Sequence, residues 1–299
     1  MSGRNYERLP IEEFGRHLIT TGDLDPVYIA LRNMPIGPKQ RARWLIAYWC
    51  FYHCGAASML SEHEGAGFWT NMLVAAQNEI PAPNGGRWPR GHERRHARGQ
   101  QGIKMVQHLR ERYGARPEEM VTRLQDFSKG GVAFERLAVE VKRHVLFGPW
   151  ISFKVGDMLE RVCGAPVNFD EAAVFMFKDP VKATEMLWRK KTGAPDNAKP
   201  RDMHRVIHEA VAHLKAEFAD LKAPPLEDRA VDLQEVETVL CKWKSHMNGH
   251  YPLFNDIDEI HAGLPGWGET ANKFLAAMPK GSAEWKAHWD HNNGQGVNV

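Results

Sequence analysis

Apolar side chains recur at helical spacing along almost the whole chain. The strongest stretch covers residues 44–59 and is apolar on most sides, which predicts a central helix in the core. Alternation of apolar and polar residues with a period of two, which is typical of strands, is hardly found. The pattern therefore predicts an all-α chain, with a single helical domain of about 9–11 helices. Further helical patterns cover residues 66–79, 100–113, 117–127, 133–145, 150–162, 180–190, 202–221 and 232–246.

The composition is that of a globular protein without a global attraction for a polyanion. The 299 residues are 43% apolar, and 39 Lys and Arg residues stand against 37 Asp and Glu residues. Because the net charge is only +2, binding of nucleic acid would depend on local clusters. The chain has neither a signal peptide nor an apolar run long enough to span a bilayer, so we expect a soluble, cytoplasmic protein. The scattered cysteines predict reduced, buried thiols and no structural zinc, and they are Cys50, Cys54, Cys163 and Cys241.

A Gly-Pro-Trp turn near the middle of the chain precedes an amphipathic stretch. The turn contains Gly148 and Trp150, and Asp170 follows after the predicted helix. A glycine turn that leads into a helix exposes backbone N–H groups, which can hold a phosphate. The pattern resembles the hairpin and catalytic Asp of the helix-hairpin-helix DNA glycosylases, although Leu146 stands where that superfamily usually has its first hairpin glycine. The alternative is an ordinary junction between two helices, with Pro149 at a first helical position.

The most strongly charged segment is the arginine block, which we define as residues 87–99. It contains five Arg and two His, begins in a Gly/Pro loop and leads into a predicted helix. Arg binds phosphate oxygens two at a time and keeps its charge in any environment. The block therefore predicts a phosphate site, and Trp88, Pro89 and Gly91 favour a shaped site over the alternative, a solvated basic surface.

A third cluster lies at the end of the predicted helix 232–246. Lys242, His246 and Tyr251 would lie close together there, with Asp256 arriving from the next loop. These residue types suit a small carboxylate ligand or a leaving phosphate. The alternative is that the cations only complement the helix dipole.

Several familiar catalytic motifs are missing from the sequence. It has no phosphate-binding P-loop, no dinucleotide-binding glycine fingerprint, no nucleophile elbow and no zinc motif of a protease or deaminase. We therefore expect chemistry that uses no cofactor and no metal.

Four segments together resemble one family. They are the arginine block, the Phe-Tyr-His segment that ends at His53, the hairpin segment 148–158 and the Lys-rich segment 242–252. They resemble the phage amino acid:DNA transferases, also called α-glutamyl/putrescinyl thymine pyrophosphorylases, which share a helical domain with 5-hydroxymethyluracil DNA kinases. The resemblance covers about residues 35–265. It leaves 1–34 as an N-terminal extension and 266–299 as a C-terminal extension with a frayed tail.

The resemblance implies a transferase that modifies bases of double-stranded DNA in a phage-infected bacterial cell. A kinase first phosphorylates 5-hydroxymethyluracil in the DNA. This chain would be functionally coupled to that kinase. The transferase then replaces the phosphate or pyrophosphate with the amine of an amino acid or polyamine. Because the activated methylene is already electrophilic, the enzyme must stabilise the leaving phosphate, take a proton from the amine and hold the two in line.

The residue types suggest how these roles are divided. Asp170 or Asp157 would take the proton from the amine. Alternatively, Asp157 would form an ion pair with Lys154, three residues before it. The further catalytic candidates are His96 and His246. The phosphate-binding candidates are Arg90, Arg94, Arg95 and Arg98. The DNA-binding candidates are Gly148, Trp150, Lys154 and Trp88. The candidates that would hold the amine donor are Lys242, Lys244, Tyr251 and Asp256.

Two other classes of function stay open from the sequence. A helix-hairpin-helix glycosylase would use Asp170 at the sugar and release a free base. It would be monofunctional, because Trp150 stands where lyase-competent members carry Lys. A non-catalytic DNA-binding subunit would bind with a salt dependence and lose nothing when Asp170 is changed to Asn.

Overall fold

The structure is a computed structural model that describes residues 6–169 and 177–280. Asp170 and the predicted frayed tail lie outside the described residues. Within the described ranges, no helix is both long enough and apolar enough to cross a membrane.

The described residues are almost entirely helical, so the predicted all-α class is confirmed. Only two short strands occur among them, Val132–Ala133 and Val167–Asn168, which pair in parallel with Val132 opposite Val167. In chain order the α-helices α1 to α14 are Ile11–Thr21, Pro26–Asn33, Pro38–Phe51, Cys54–Ser61, Gly65–Gln77, Gly99–Tyr113, Glu119–Ser128, Phe134–Val141, Pro149–Arg161, Lys178–Thr192, Met203–Glu217, Leu233–Met247, Asn255–Gly263 and Glu269–Ala277. The described ranges therefore contain more helices than predicted, because several are only eight or nine residues long and too short for periodicity to mark.

The predicted central helix 44–59 is wrong in one respect, because two helices share this stretch. Tyr52 takes the left-handed conformation (φ 51°) and ends α3, and His53 then caps α4 by accepting a hydrogen bond from the Ala56 N–H at 3.2 Å. The apolar pattern of the sequence continues across this break, because the residues on both sides of it are buried. Periodicity alone therefore does not reveal where α3 ends. The Nδ1 atom of His53 thus has a backbone N–H as its partner.

The chain divides into two compact units. The hairpin unit comprises residues 27–168 and 259–278. Its core surrounds α3, whose Trp44 and Trp49 are fully buried, with Trp44 stacked on Phe274 at 5.3 Å between ring centroids. Truncating aromatic residues buried this deeply typically costs about 3–5 kcal/mol, so α3 is the main support of this unit.

Of the described residues, the terminal unit comprises 6–26, 169, 177–258 and 279–280. Its core packs α1 against α12, with Phe14 and Trp243 buried at the centre. The helix α12 begins at a capping box. The Asp232 carboxylate accepts from the Leu233 N–H, and the Glu235 carboxylate accepts from the Asp232 N–H, both at 2.8 Å. Such a reciprocal cap explains why the helix starts at this residue.

Two further expectations concern the organisation of the chain. The boundaries after residues 34 and 265 stay a prediction. The cysteines are free thiols, but only Cys50 and Cys54 are buried, whereas Cys163 and Cys241 are half-buried.

Candidate active site at the mid-chain hairpin

The arginine block is a loop that is fixed against the end of α3. The Gly91 N–H donates to the Phe51 carbonyl at 3.0 Å, and a Cβ at position 91 would overlap the Tyr52 carbonyl oxygen. A short 3-10 turn follows at His92–Arg94, before α6 begins at Gly99. Only glycine fits at this close approach, which fixes the path of the residues that follow.

Arg94 connects the arginine block to the hairpin. Its side chain is buried, and its guanidinium donates to the Leu146 carbonyl at 2.8 Å and to the Cys50 carbonyl at 3.4 Å. Burial lowers the pKa of Arg94, but a guanidinium stays charged at neutral pH. Among the described residues no carboxylate pairs with Arg94. A buried positive charge of this kind suits an anionic ligand.

The hairpin presents the beginning of α9 to the same place. Leu146 takes the left-handed conformation (φ 62°), and Gly148 is the N-cap of α9 with Pro149 at the first helical position. The first intrahelical bond runs from the Ser152 N–H to the Gly148 carbonyl. The N–H groups of Trp150 and Ile151 therefore lie at the positive end of the helix dipole without an intrahelical acceptor.

A cavity of about 330 Å³ lies between these two elements. It is lined by Glu93, Arg94, His96, Leu146, Gly148, Pro149, Trp150 and Ile151. The structure thus brings the arginine block and the hairpin into one cavity, here called the hairpin cavity. Its size is at the lower end of what small-ligand sites occupy.

Two ionisable side chains besides Arg94 line the hairpin cavity. Burial and the neighbouring Arg94 charge lower the pKa of His96, which is therefore neutral at pH 7. Glu93 is an exposed carboxylate. It was not among the candidates predicted from the sequence, because the arginines around it dominate the charge of the arginine block. The neutral imidazole and the carboxylate are both proton acceptors, whereas Asp170 lies outside the described residues.

The aromatic candidates for stacking differ in accessibility. Trp88 is buried against Phe51 and Trp267, and its indole N–H donates to the Ile80 carbonyl at 3.0 Å. Trp88 is therefore a core residue and does not offer a face to a nucleobase. Trp150 is half-buried, packs edge-on against Tyr52 at 4.7 Å and lines the hairpin cavity.

The remaining arginines of the block also divide into two kinds. Arg90 is buried over the Phe51 ring at 3.7 Å and donates to the carbonyls of Ala97 and Pro89, and burial lowers its pKa to about 9. These contacts stabilise the loop and leave Arg90 away from the hairpin cavity. Arg95 and Arg98 are exposed, so they are accessible to a nucleic-acid backbone.

Lys154 and Asp157 lie deeper along α9 and do not line the hairpin cavity. The Asp157 carboxylate accepts from the Tyr28 hydroxyl at 2.7 Å and lies 3.7 Å from the Lys154 ammonium. Both side chains are buried. The geometry therefore favours a structural pair over contacts with DNA or with an amine.

The cluster predicted at the end of α12 belongs to the terminal unit. Its side chains form hydrogen bonds with one another and with Asp23. Lys242 donates to the Asp23 carbonyl at 2.6 Å and to the Asp256 carboxylate at 2.7 Å. Asp23 is fully buried, and burial raises the pKa of its carboxyl group. The Tyr251 hydroxyl donates to the Asp23 carbonyl at 3.4 Å. Asp23 was missed from the sequence because it precedes its partners by more than 200 residues.

Two further candidates near α12 also have their donors and acceptors occupied. His246 accepts from the Leu9 N–H at 2.9 Å and donates to the Tyr251 carbonyl at 2.8 Å. It has no exposed surface, and burial lowers its pKa to about 4. Lys244 forms a salt bridge with Asp179 at 2.7 Å. The cluster can stabilise the terminal unit, but the contacts leave little room for a donor molecule.

The described residues thus form an almost entirely helical fold whose hairpin cavity brings Arg94, Glu93 and His96 to the start of α9. The model of the amino acid:DNA transferase family matches residues 19–250. The chain belongs to this family and is a transferase that acts on DNA. The predicted class of enzyme is thereby confirmed, and the glycosylase and non-catalytic alternatives are set aside.

Two phage proteins are similar to this chain over most of their length. A glycinyltransferase of Pseudomonas phage PaMx11 is 51% identical over 290 residues, which cover 93% of this chain and 98% of that protein. A putrescinyltransferase of Delftia phage PhiW-14 is 27% identical over 268 residues, which cover 87% of this chain and 79% of that protein. The family thus includes relatives named for an amino-acid donor and for a polyamine donor.

Proposed function

We propose that the hairpin cavity binds the phosphate of an activated thymine base and that the chain replaces this phosphate with glycine. The observation that carries the proposal is the buried Arg94 guanidinium, which has no carboxylate partner among the described residues and shares the cavity with the start of α9. The similarity to a glycinyltransferase supports glycine as the donor. The reaction would take place in the infected bacterial cell, on double-stranded DNA.

The proposed substrate is phosphorylated 5-hydroxymethyluracil, supplied by a kinase that acts first. The glycine nitrogen attacks the methylene carbon, a C–N bond forms and the C–O bond to phosphate or pyrophosphate breaks. The electron pair of that bond leaves with the phosphate. Arg94 and the N–H groups of Trp150 and Ile151 stabilise the charge that develops on the departing oxygen.

The amine proton needs an acceptor near the reacting carbon. Glycine enters as an ammonium, which must lose protons before and during the attack. Glu93 lines the hairpin cavity and is an acceptor there, while Asp170 remains the candidate predicted from the sequence. His96 is neutral at pH 7, so it can accept a proton or donate a hydrogen bond to the leaving phosphate.

Access to the base requires that it leave the duplex. Enzymes that modify a base usually rotate it into a pocket, at a cost of a few kcal/mol for unstacking. Trp150 offers an aromatic face at the entrance, and stacking of a base on an aromatic side chain contributes about 1–3 kcal/mol. Arg95 and Arg98 are exposed and would contact the DNA backbone near the extruded base.

The function is tested with duplex DNA that carries phosphorylated 5-hydroxymethyluracil. The DNA is incubated with the protein and an equimolar mixture of isotope-labelled glycine and putrescine, digested to nucleosides and measured by mass spectrometry. We expect glycinyl-thymidine as the main product. A putrescinyl product would contradict the proposed donor, and an unchanged phosphorylated nucleoside would contradict the proposed substrate.

The role of Glu93 is tested in the same assay with Glu93→Gln. The side chain is exposed, so folding should be unchanged by circular dichroism. We expect turnover to fall about 100-fold, with activity recovering in part as pH rises and more of the amine is deprotonated. Glu135→Gln, at an exposed position on α8, is the matched control. Full activity of Glu93→Gln would contradict its role as the base and leave Asp170 and His96 as candidates.

A further inference from the structure

A second cationic cavity lies at the other end of α9, within the hairpin unit. It has a volume of about 310 Å³, and its lining includes Arg32, Lys39, Arg41, Gln125, Val162 and Cys163. None of these residues belongs to the arginine block or to the hairpin. We call this site the α9-end cavity.

The positive charges of the α9-end cavity are not balanced by its own carboxylate. Glu118 lines the cavity but forms an ion pair with the buried Arg43. Among residues 6–169 and 177–280, no carboxylate pairs with Arg32, Lys39 or Arg41. The cavity therefore has an excess of positive charge that water alone would have to solvate.

Arg41, one of the residues that line the cavity, has one donor without an acceptor. The Arg41 Nε–H is buried and has no hydrogen-bond partner among the described residues. An unmet buried donor costs about 1–3 kcal/mol, more when it is charged, unless a ligand or water accepts from it. Arg32 is held in place at the rim, because its guanidinium donates to the Val162 carbonyl at 3.0 Å.

The backbone adds to the positive potential. The helix α3 begins at Pro38 with Gly37 as its N-cap, and no side chain caps it. The N–H groups of its first turn and the positive end of its dipole lie beside Lys39 and Arg41. Burial raises the pKa of Cys163 to about 11, so the thiol adds no negative charge at neutral pH.

We infer that the α9-end cavity binds a phosphate group, distinct from the one assigned to the hairpin cavity. The helix α9 has 13 residues, so the two cavities are about 20 Å apart along its axis and no single phosphate can reach both. Because successive phosphates of a strand advance about 3.4 Å along the duplex axis, this distance corresponds to about six base pairs. Because this family acts on DNA, a backbone phosphate is the ligand that we propose, and free phosphate has the same chemistry.

The inference is tested by the salt dependence of binding to an unmodified 20-base-pair duplex, measured by fluorescence anisotropy. Loss of one phosphate contact reduces the slope of log Kobs against log salt by about 0.9. We expect this reduction in Arg41→Gln and in Lys39→Gln, whose side chain is exposed and whose substitution should not disturb folding. Arg136→Gln, an exposed position on α8 with the same change of charge, should leave the slope unchanged.

A second measurement distinguishes the two sources of the phosphate. Cys163 lines the α9-end cavity, so its rate of alkylation in a Cys241→Ser background reports occupancy. Protection by duplex but not by millimolar orthophosphate would identify a backbone contact, whereas protection by orthophosphate with an unchanged slope would identify free phosphate. If neither ligand protects Cys163 and all variants share the wild-type slope, the inference is overturned. Product formation at the hairpin cavity is measured separately, so the two proposals fail independently.

Discussion

The hairpin cavity and the cluster around Lys242 each place a cation next to the end of a helix, but the partners of the two cations differ. The Lys242 ammonium donates to two oxygens of the terminal unit itself, the carbonyl of Asp23 and the carboxylate of Asp256. The Arg94 guanidinium at the hairpin cavity donates to two backbone carbonyls and to the Met105 sulfur, and it pairs with no carboxylate among the described residues. We therefore expect a cation at a helix end to mark a ligand site only where the fold gives it no carboxylate partner.

The largest effect is expected when the Lys242 cluster is broken. Lys242→Met should lower the free energy of unfolding by about 3 kcal/mol, because the Asp23 carbonyl and the half-buried Asp256 carboxylate lose their charged donor. The half-exposed pair of Lys244 provides the control, and Lys244→Met should cost less than about 1 kcal/mol. Urea unfolding measures both. A catalytic rate per folded molecule that falls in Lys242→Met would place the cluster in the active site and remove the distinction.

The next effect concerns catalysis. Arg94→Lys keeps the charge but loses the planar fork, so kcat/KM should fall about 100-fold, as for loss of a donor that stabilises a developing oxyanion. Steady-state kinetics on phosphorylated DNA measure it, with a thermal melt to check folding. Arg95→Lys is the matched control at an exposed position and should retain activity within about threefold. Equal rates for both variants would contradict the role of Arg94.

Substitutions of two glycines in the hairpin unit distinguish an effect on packing from an effect on ligand binding. Gly91→Ala should destabilise the protein by about 1–3 kcal/mol, because the new methyl group overlaps the Tyr52 carbonyl. Gly148→Ala meets no atom within 4 Å, so its stability cost should stay below about 1 kcal/mol. Its methyl group should instead raise KM for phosphorylated DNA. A Gly148→Ala variant that binds this DNA as tightly as the wild type would show that no phosphate approaches the hairpin backbone.

The smallest effect is a dependence of stability on pH in the terminal unit. Burial lowers the pKa of His246 from 6.5 to about 4, so between these values the unfolded chain binds more protons than the folded chain. Stability therefore rises with pH in this window and is lost on acidification from 6.5 towards 4, by at most about 1.4 kcal/mol per pH unit for this group. His246→Gln should be less stable at pH 7 but show a shallower slope. If the free energy of unfolding of His246→Gln depends on pH as steeply as that of the wild type, groups other than His246 cause the loss of stability in acid.

Much of the fold could be predicted from the sequence because helical periodicity reports burial directly. The ends of α9 and α12 were predicted to within a residue, since Gly-Pro and the turn at Gly249 mark them. The break at Tyr52 could not be predicted, because a left-handed residue other than glycine has no clear signal in the local sequence pattern.

The candidate site was predicted in part. The pairing of the arginine block with the hairpin was expected from residue type, and both elements line the hairpin cavity. The sequence does not distinguish structural arginines such as Arg90 from those that could bind a ligand. The distinction depends on which backbone carbonyls the folded loop places near each guanidinium. The α9-end cavity was missed for a similar reason, since Arg32, Arg41 and Cys163 are brought together only by tertiary packing.

The central claim is that a phosphate binds at the start of α9 beside Arg94. The most direct test is a titration of the isotope-labelled protein with pyrophosphate, followed through the backbone amide resonances by NMR. We predict saturable shifts of the Trp150 and Ile151 N–H resonances, which disappear in Arg94→Lys. Shifts confined to other parts of the chain, with Trp150 and Ile151 unchanged at saturation, would contradict the account.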